Sequence, residues 1–269
     1  MAAKTVRPGV FERYPQLATL RGLVPDELVE REIGSRADEF ERTLRRAAAV
    51  IPTVRLRDVF PPEIEAGAIH LENFLGHWGN VSIETVCKIC LIVRSLRPRR
   101  VLEIGTYNGM TTLQMALNAP PGCVVYTLDL PPDREPGIPP SELDRLVARS
   151  FRARFGTSTG SYFRGRDDLK IVQLLGDSAT FDYGAVIDGP LDLVFIDGAH
   201  DYRTKAIDTQ NVLRLLAPGG VVVWDNYADV SNPEVTRFLL DQSASLKLSH
   251  LRNTMLVVHR HPGRPENSP

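Results

Sequence analysis

Acidic residues recur at one place in a repeating pattern along this chain. Short apolar runs close on Glu103, on Asp129, on Gly176-Asp177-Ser178, on Asp197 and on the pair Asp225-Asn226. A buried carboxylate without a partner is costly. Runs that each end in an acid therefore predict one cleft, stocked for cations, hydroxyls or a metal. The first run, Arg100-Val101-Leu102-Glu103-Ile104, leads into Gly105-Thr106-Tyr107-Asn108-Gly109-Met110-Thr111. Glycines there let the backbone approach a ligand, and the free amides of a helix starting near Thr111 face it. The spacing is G-x-x-x-G, not the G-x-G-x-x-G of dinucleotide folds. Glu103 would repel a pyrophosphate, so the expected ligand is nucleotide-like with a cationic end. Asp129 lies twenty residues beyond Gly109 and is expected on ribose hydroxyls. Gly176, Asp177 and Ser178 are expected at an adenine edge; an Asp-Ser pair also makes a good helix cap.

The elements that must position these residues alternate. Candidate strands are Val101–Ile104, Val124–Leu128, Ile171–Leu174, Leu193–Ile196 and Val221–Trp224, each nearly continuously apolar. Such runs suit parallel strands covered on both faces. Helical patterns fill about 111–118, 141–155 and 203–216, the last stopped by Pro218-Gly219-Gly220. The alternation predicts an α/β, Rossmann-like doubly wound sheet, with ligands at its carboxyl edge. Leu246–Leu251 and Thr254–His259 read as a closing hairpin around Arg252-Asn253. Residues 1–81 read as an N-terminal helical extension, residues 82–260 as the main domain and residues 261–269 as a loose tail. The extension is expected as a substrate cover or dimer arm, so a homodimer is an expectation. Within the main domain, 130–169 is an insertion too long for a plain connection. It carries Arg145, Arg149, Arg152, Arg154, Arg164 and Arg166, with an apolar stripe at Leu143, Leu146, Val147 and Phe151. It reads either as a solvated helix and loop or as a lid over an acidic substrate.

Bulk properties exclude several classes. The chain has 269 residues, 43% of them hydrophobic, and a formal net charge of −1. That charge gives no pull toward nucleic acid or membrane, and no apolar run approaches the roughly 20 residues of a membrane span. The first residues lack an apolar secretion signal, so a cytoplasmic location is expected. Cys87 and Cys90 fall in a helical pattern without a second Cys/His pair, which favours packing over zinc or redox chemistry. His70 and His77 flank Phe74 and Trp78 and could line an acceptor pocket, although packing and surface roles compete.

Glu103-x-Gly105-x-x-x-Gly109, Asp129, Gly176-Asp177-Ser178 and Phe195-Ile196-Asp197-Gly198-Ala199-His200-Asp201-Tyr202 together resemble class I S-adenosylmethionine-dependent methyltransferases. The resemblance covers about 82–260. It implies a seven-stranded sheet in the order 3-2-1-4-5-7-6 with strand 7 antiparallel. It places Glu103, Gly105, Thr106, Tyr107, Gly109 and Thr111 around the methionine end of the cofactor. Within the class the chain looks most like the catechol and caffeoyl-CoA O-methyltransferase branch, which holds a divalent metal on an Asp after strand 4 and an Asp-Asn pair after strand 5. Asp197, Asp225 and Asn226 match those places, which implies Mg²⁺ or another divalent cation. The branch carries a lysine general base three residues after the first metal Asp; here that position is His200. A neutral imidazole can also take a hydroxyl's proton. The departure leaves the acceptor open among catechol, sugar, polyketide and other small hydroxylated metabolites. A metal-independent methyltransferase and an inactive cofactor-binding module are the competing readings.

Overall fold

The computed structural model describes residues 8–74, 79–131, 133–155 and 158–263. Of the positions singled out above, His77, Trp78 and the tail from 264 lie outside these, as do the side chains of Phe151, Arg152 and Arg154. In chain order the elements are α1 (Val10–Arg13), α2 (Asp26–Glu32), α3 (Ala37–Val50), β1 (Thr53–Val54), α4 (Ile83–Leu96), β2 (Arg100–Ile104), α5 (Met110–Asn118) and β3 (Val124–Asp129). Then come α6 (Glu142–Phe155), β4 (Ile171–Leu175), β5 (Leu191–Ile196), α7 (Tyr202–Leu215), β6 (Leu216–Trp224), α8 (Pro233–Gln242), β7 (Ser249–Leu251) and β8 (Val257–Arg260). Among the described residues no helix is long and apolar enough to cross a membrane.

The sheet runs β1-β7-β8-β6-β5-β2-β3-β4. The stretch from β7 to β4 is the expected seven-stranded order, with β8 antiparallel to both β6 and β7. The expectation of seven strands is corrected to eight. Thr53–Val54 leaves the N-terminal extension and pairs in parallel with β7. Two residues carry too little periodicity to read as a strand. A second correction concerns coverage: β4 lies at the sheet edge, where Val172 and Leu175 are exposed. A third is α8, which the sequence pattern left unassigned, and the closing hairpin is shorter than expected.

Alternation along each strand divides the core in two. Leu102, Val194 and Trp224 pack with Val212 of α7 and Phe238 of α8 on one face. Their chain neighbours Val101, Phe195 and Val223 pack with Ile89, Ile92 and Val93 of α4 on the other. Helix starts are built as the residues suggest. The Ser82 hydroxyl accepts the Thr85 N–H at 3.2 Å, and Ser141 accepts the Asp144 N–H at 3.0 Å while donating to its carboxylate at 2.8 Å.

The extension and the insertion form a third cluster. Tyr14, Leu17, Leu20, Leu28, Val29 and Phe40 pack with Leu143 of α6 and with Val230, just beyond β6. Arg31 pairs with Glu142 at 2.6 Å, and the Ser150 hydroxyl donates to the Leu23 carbonyl at 2.7 Å. Arg166 is held by Glu72 at 2.7 Å and Asp168 at 2.8 Å. That arginine is thus paired with Glu72 and Asp168, and the reading of the insertion as a basic lid does not gain it.

Candidate active site

The strand ends bring the acids to one level. Ile104 is in register with Leu128 and Ile196, and Ile196 with Trp224. The residues that follow stay in step: Gly105 N–H donates to Leu128 O at 2.8 Å, Asp197 N–H to Ile104 O at 2.8 Å, and Asp225 N–H to Ile196 O at 3.2 Å. Gly105, Asp129, Asp197 and Asp225 therefore share one edge, as the sequence pattern predicts. Gly105 has φ +102°, and a Cβ there would lie 2.3 Å from the Asp197 carbonyl oxygen. Only glycine lets these strand ends approach so closely.

The glycine loop is tied down from both sides. Asp129 accepts the Tyr107 N–H at 2.7 Å and the Leu130 N–H at 2.8 Å. Tyr107 is left-handed, with φ 47°. The Gly160 N–H donates to Tyr107 O and the Tyr162 N–H to Asn108 O, so the end of the insertion is stitched to the loop. Thr106 shares a 2.7 Å hydrogen bond with Thr127, and Thr111 sits buried in the first turn of α5. Gly176 N–H reaches Asp129 O at 2.9 Å. Asp177 accepts the Ala179 N–H at 3.0 Å and the Gly137 N–H at 2.8 Å, which fastens the start of the insertion beside Ser178.

Glu103 is placed differently from the expectation of an open contact. It is 1% exposed and accepts the hydroxyls of Thr112 and of Thr127, the latter at 2.6 Å. Burial pushes its carboxyl up to about 7; the two hydroxyls work against this and the charge of Asp129 adds to it. The native carboxyl thus keeps its proton to about pH 7, whereas the unfolded one releases it near 4.5. Between those values the native state binds more protons, so stability falls as pH rises. A shift of this size corresponds to roughly 3 kcal/mol of unfolding free energy lost across that window. Glu103→Gln is expected to flatten this part of the pH profile in urea titrations. An unchanged slope in the variant would contradict the assignment.

The acids at the other half of the edge face each other. Asp225 is 6% exposed and Asp197 half-buried. Burial raises both carboxyls; the charge of Asp225 raises Asp197 further, and Asp225 itself reaches about 6. Asn226 is left-handed, with φ 67°, and its buried Oδ1 has no hydrogen-bond partner among the described residues. Capping does not account for Asp197, because α7 is capped by Asp201, which accepts the Thr204 N–H at 2.8 Å. Among the described residues no three His, Cys, Asp or Glu side chains gather as a metal site; the expected trio holds two acids and an amide. His200 is half-buried. Burial lowers its pKa, the Lys205 charge lowers it further, and Asp144, Asp229 and Asp201 oppose them.

Two residues at this edge escaped the sequence reading. Lys205 and Asp208 of α7 are both fully buried. The Lys205 ammonium donates to Ile196 O at 3.4 Å, the same carbonyl that accepts the Asp225 N–H. Both Asp208 oxygens are buried, and among the described residues neither has a hydrogen bond of good geometry, although the Ser178 hydroxyl lies near enough to act on the carboxyl. Burial pushes that carboxyl up to about 6, opposed by the Ser178 hydroxyl and Lys205. The available signal was periodicity: 205, 208, 209 and 212 form one helical stripe, otherwise Thr209 and Val212, so charges there face the core.

A cavity of about 590 Å³ opens between the N-terminal extension, the start of α4 and the loop after β6; none of the strand-end acids lines it, and Asp229 is the nearest lining residue in sequence to Asp225 and Asn226. Leu17, Leu20, Phe74, Val81 and Met255 line it, with Asp229 at its margin. Gly79, also on its wall, packs so tightly that a Cβ would lie 3.2 Å from the Tyr107 ring. His70 is elsewhere, paired with Glu72 at 2.9 Å on the surface. Cys90 is buried in α4 with its thiol pushed up to about 12 by burial, and Cys87 beside it is half-buried, in keeping with packing roles.

A family model described as a methyltransferase domain matches residues 102–227. Catechol O-methyltransferase B of Danio rerio is 39% identical over 202 residues, covering 72% of this chain and 67% of the relative. Catechol O-methyltransferase of Mycobacterium tuberculosis is 29% identical over 175 residues, covering 65% of this chain and 66% of the relative. A crystal structure of cofactor-bound Rv0187 from MTB aligns over 88% of this chain and 96% of that one, at 21% identity and a TM-score of 0.46. The chain spans about two thirds of the length of the curated relatives it matches. With the glycine loop and the acids of all the central strand ends assembled at one edge, the chain belongs to the S-adenosylmethionine-dependent O-methyltransferases, in their catechol and caffeoyl-CoA O-methyltransferase-like branch.

Proposed function

We propose that this protein transfers the methyl group of S-adenosylmethionine to a hydroxyl of a small metabolite, with a divalent cation, Mg²⁺ by its donor set, at Asp197, Asp225 and Asn226. The observation that carries the cation is the buried Asn226 Oδ1 without a partner, next to two carboxylates raised by burial. Two carboxylates and an amide oxygen are hard donors and suit magnesium. When bound, such an ion lowers a hydroxyl's pKa and orients it.

The chain's own groups divide the remaining work. Asp129 holds the ribose hydroxyls, Asp177 and Ser178 border the adenine, and Gly105, Thr106, Tyr107, Gly109 and Thr111 cradle the methionine end. Glu103 lies beneath the loop, where a cofactor ammonium favours the ionised form of its carboxyl over the protonated one that burial favours. Neutral His200 takes the acceptor's proton on a ring nitrogen. The acceptor lies in the 590 Å³ cavity, whose apolar wall suits a flat or aliphatic body. The Asn80 amide on that wall has a buried Nδ2 without a partner among the described residues and offers it to an acceptor oxygen. Asp229 disfavours an anionic acceptor. Thorough treatment with EDTA is expected to remove methyl transfer to a panel of catechols and other hydroxylated acceptors, and Mg²⁺ to restore it. Full turnover in chelator would reject the cation and leave the metal-independent reading, in which the same acids act by hydrogen bonding.

A further inference from the structure

Lys205 occupies an uncommon place for a lysine. It is 0% exposed, on the core face of α7, under the carboxyl edge of the sheet. Lysines are almost never fully buried without a partner. Among the described residues its one hydrogen bond is to Ile196 O at 3.4 Å. That carbonyl immediately precedes Asp197 and receives the Asp225 N–H, so the ammonium lies where the two acids leave the sheet. No carboxylate is within ion-pair distance of it among the described residues. The Asp208 carboxylate, one turn on, is buried as well, with the Ser178 hydroxyl acting on it. The ammonium therefore forms no tight pair. It sits among Asp197, Asp208 and Asp225, all of which act on it through their charges.

We propose that Lys205 is a fixed internal counter-cation of this acid cluster, which holds Asp197 and Asp225 together without a divalent ion and weakens the binding of one. The proposal rests on the cation reading given above. While charged, Lys205 relieves the acids' mutual repulsion from beneath; burial lowers its pKa, and the charges of Asp197, Asp208, Asp225 and Asp201 oppose that. It also repels any cation that arrives from the cleft side. A site so arranged keeps its shape when empty and releases its ion readily. The histidine at position 200 then works beside a site that is already partly neutralised from within.

The test measures metal binding itself, apart from turnover. Mg²⁺, with Mn²⁺ as a second probe, is titrated calorimetrically into the full chain at pH 8, as wild type, Lys205→Met and Lys205→Arg. Lys205→Met is expected to bind the ion about tenfold tighter or more, since a repelling charge in a low-dielectric setting is removed. Lys205→Arg keeps the charge and is expected to match the wild type. Should Lys205→Met fail to fold, the double variant Lys205→Met with Asp208→Asn removes both buried charges of the helix and carries the same expectation. Equal or weaker binding by the neutral variant, with the wild type binding normally, overturns the role of Lys205 alone. Absence of binding in every protein overturns it together with the cation reading.

Discussion

Asp225→Ala is expected to abolish methyl transfer while leaving binding of S-adenosylhomocysteine intact in calorimetry. The loss should exceed the roughly 10–100-fold that removing an outer partner costs a metal site, because Asp225 is read as a direct ligand. The separation of effects follows from the sheet. Asp225 follows β6, whereas the glycine loop follows β2, Asp129 closes β3 and Asp177 follows β4, all on the far side of β5. A second readout separates this from a folding defect. Asp225 is 6% exposed and its charge raises the carboxyl of Asp197. Removing it from the ion-free protein is expected to leave the melting temperature close to that of the wild type, since Asp197 loses a repelling charge while Lys205 loses a counter-charge. A variant that is both inactive and less stable would instead mark Asp225 as structural.

The second large effect is expected at His200. If its ring accepts the acceptor's proton, His200→Gln lowers kcat by about 10²–10⁴ with little change in cofactor affinity. The pH profile carries the sharper test. Burial and the Lys205 charge hold the His200 pKa below the ordinary histidine value of 6.5. The neutral, proton-accepting form therefore dominates at pH 7. Wild-type kcat is expected to be flat around neutrality and to fall on the acid side, below 6.5. The glutamine variant should lose that limb. An acid limb preserved in His200→Gln would assign it to another group.

The sheet centre was legible because physics leaves few choices there. Parallel strands buried on both faces read as unbroken apolar runs, so β2, β3, β5 and the later part of β6 matched their predicted positions to within a few residues. The acids at their ends were legible for the same reason: a carboxylate closing an apolar run has no packing role. Thr53–Val54 could not be read, since its pairing with β7 depends on residues far along the chain. Lys205 and Asp208 were missed because a charged residue on a helix is ordinarily solvated, and only the periodicity of α7 placed them inward. Glu103 was read as facing the ligand; its threonine partners, Thr112 and Thr127, come from α5 and β3, and no local pattern announces that they would enclose it.

The pairing of β1 with β7 has a consequence for how the chain is made. Thr53 and His250, joined by side chains at 2.9 Å, are 197 residues apart. The α3 helix just before β1 rests on α8, also late in sequence. Domains tend to gain structure from the N-terminus as they leave the ribosome, yet this N-terminal segment has to wait for nearly everything after it. Contacts of such span form slowly. The seam between β1 and β7 is therefore expected to close late, after β7 and α8 have been made.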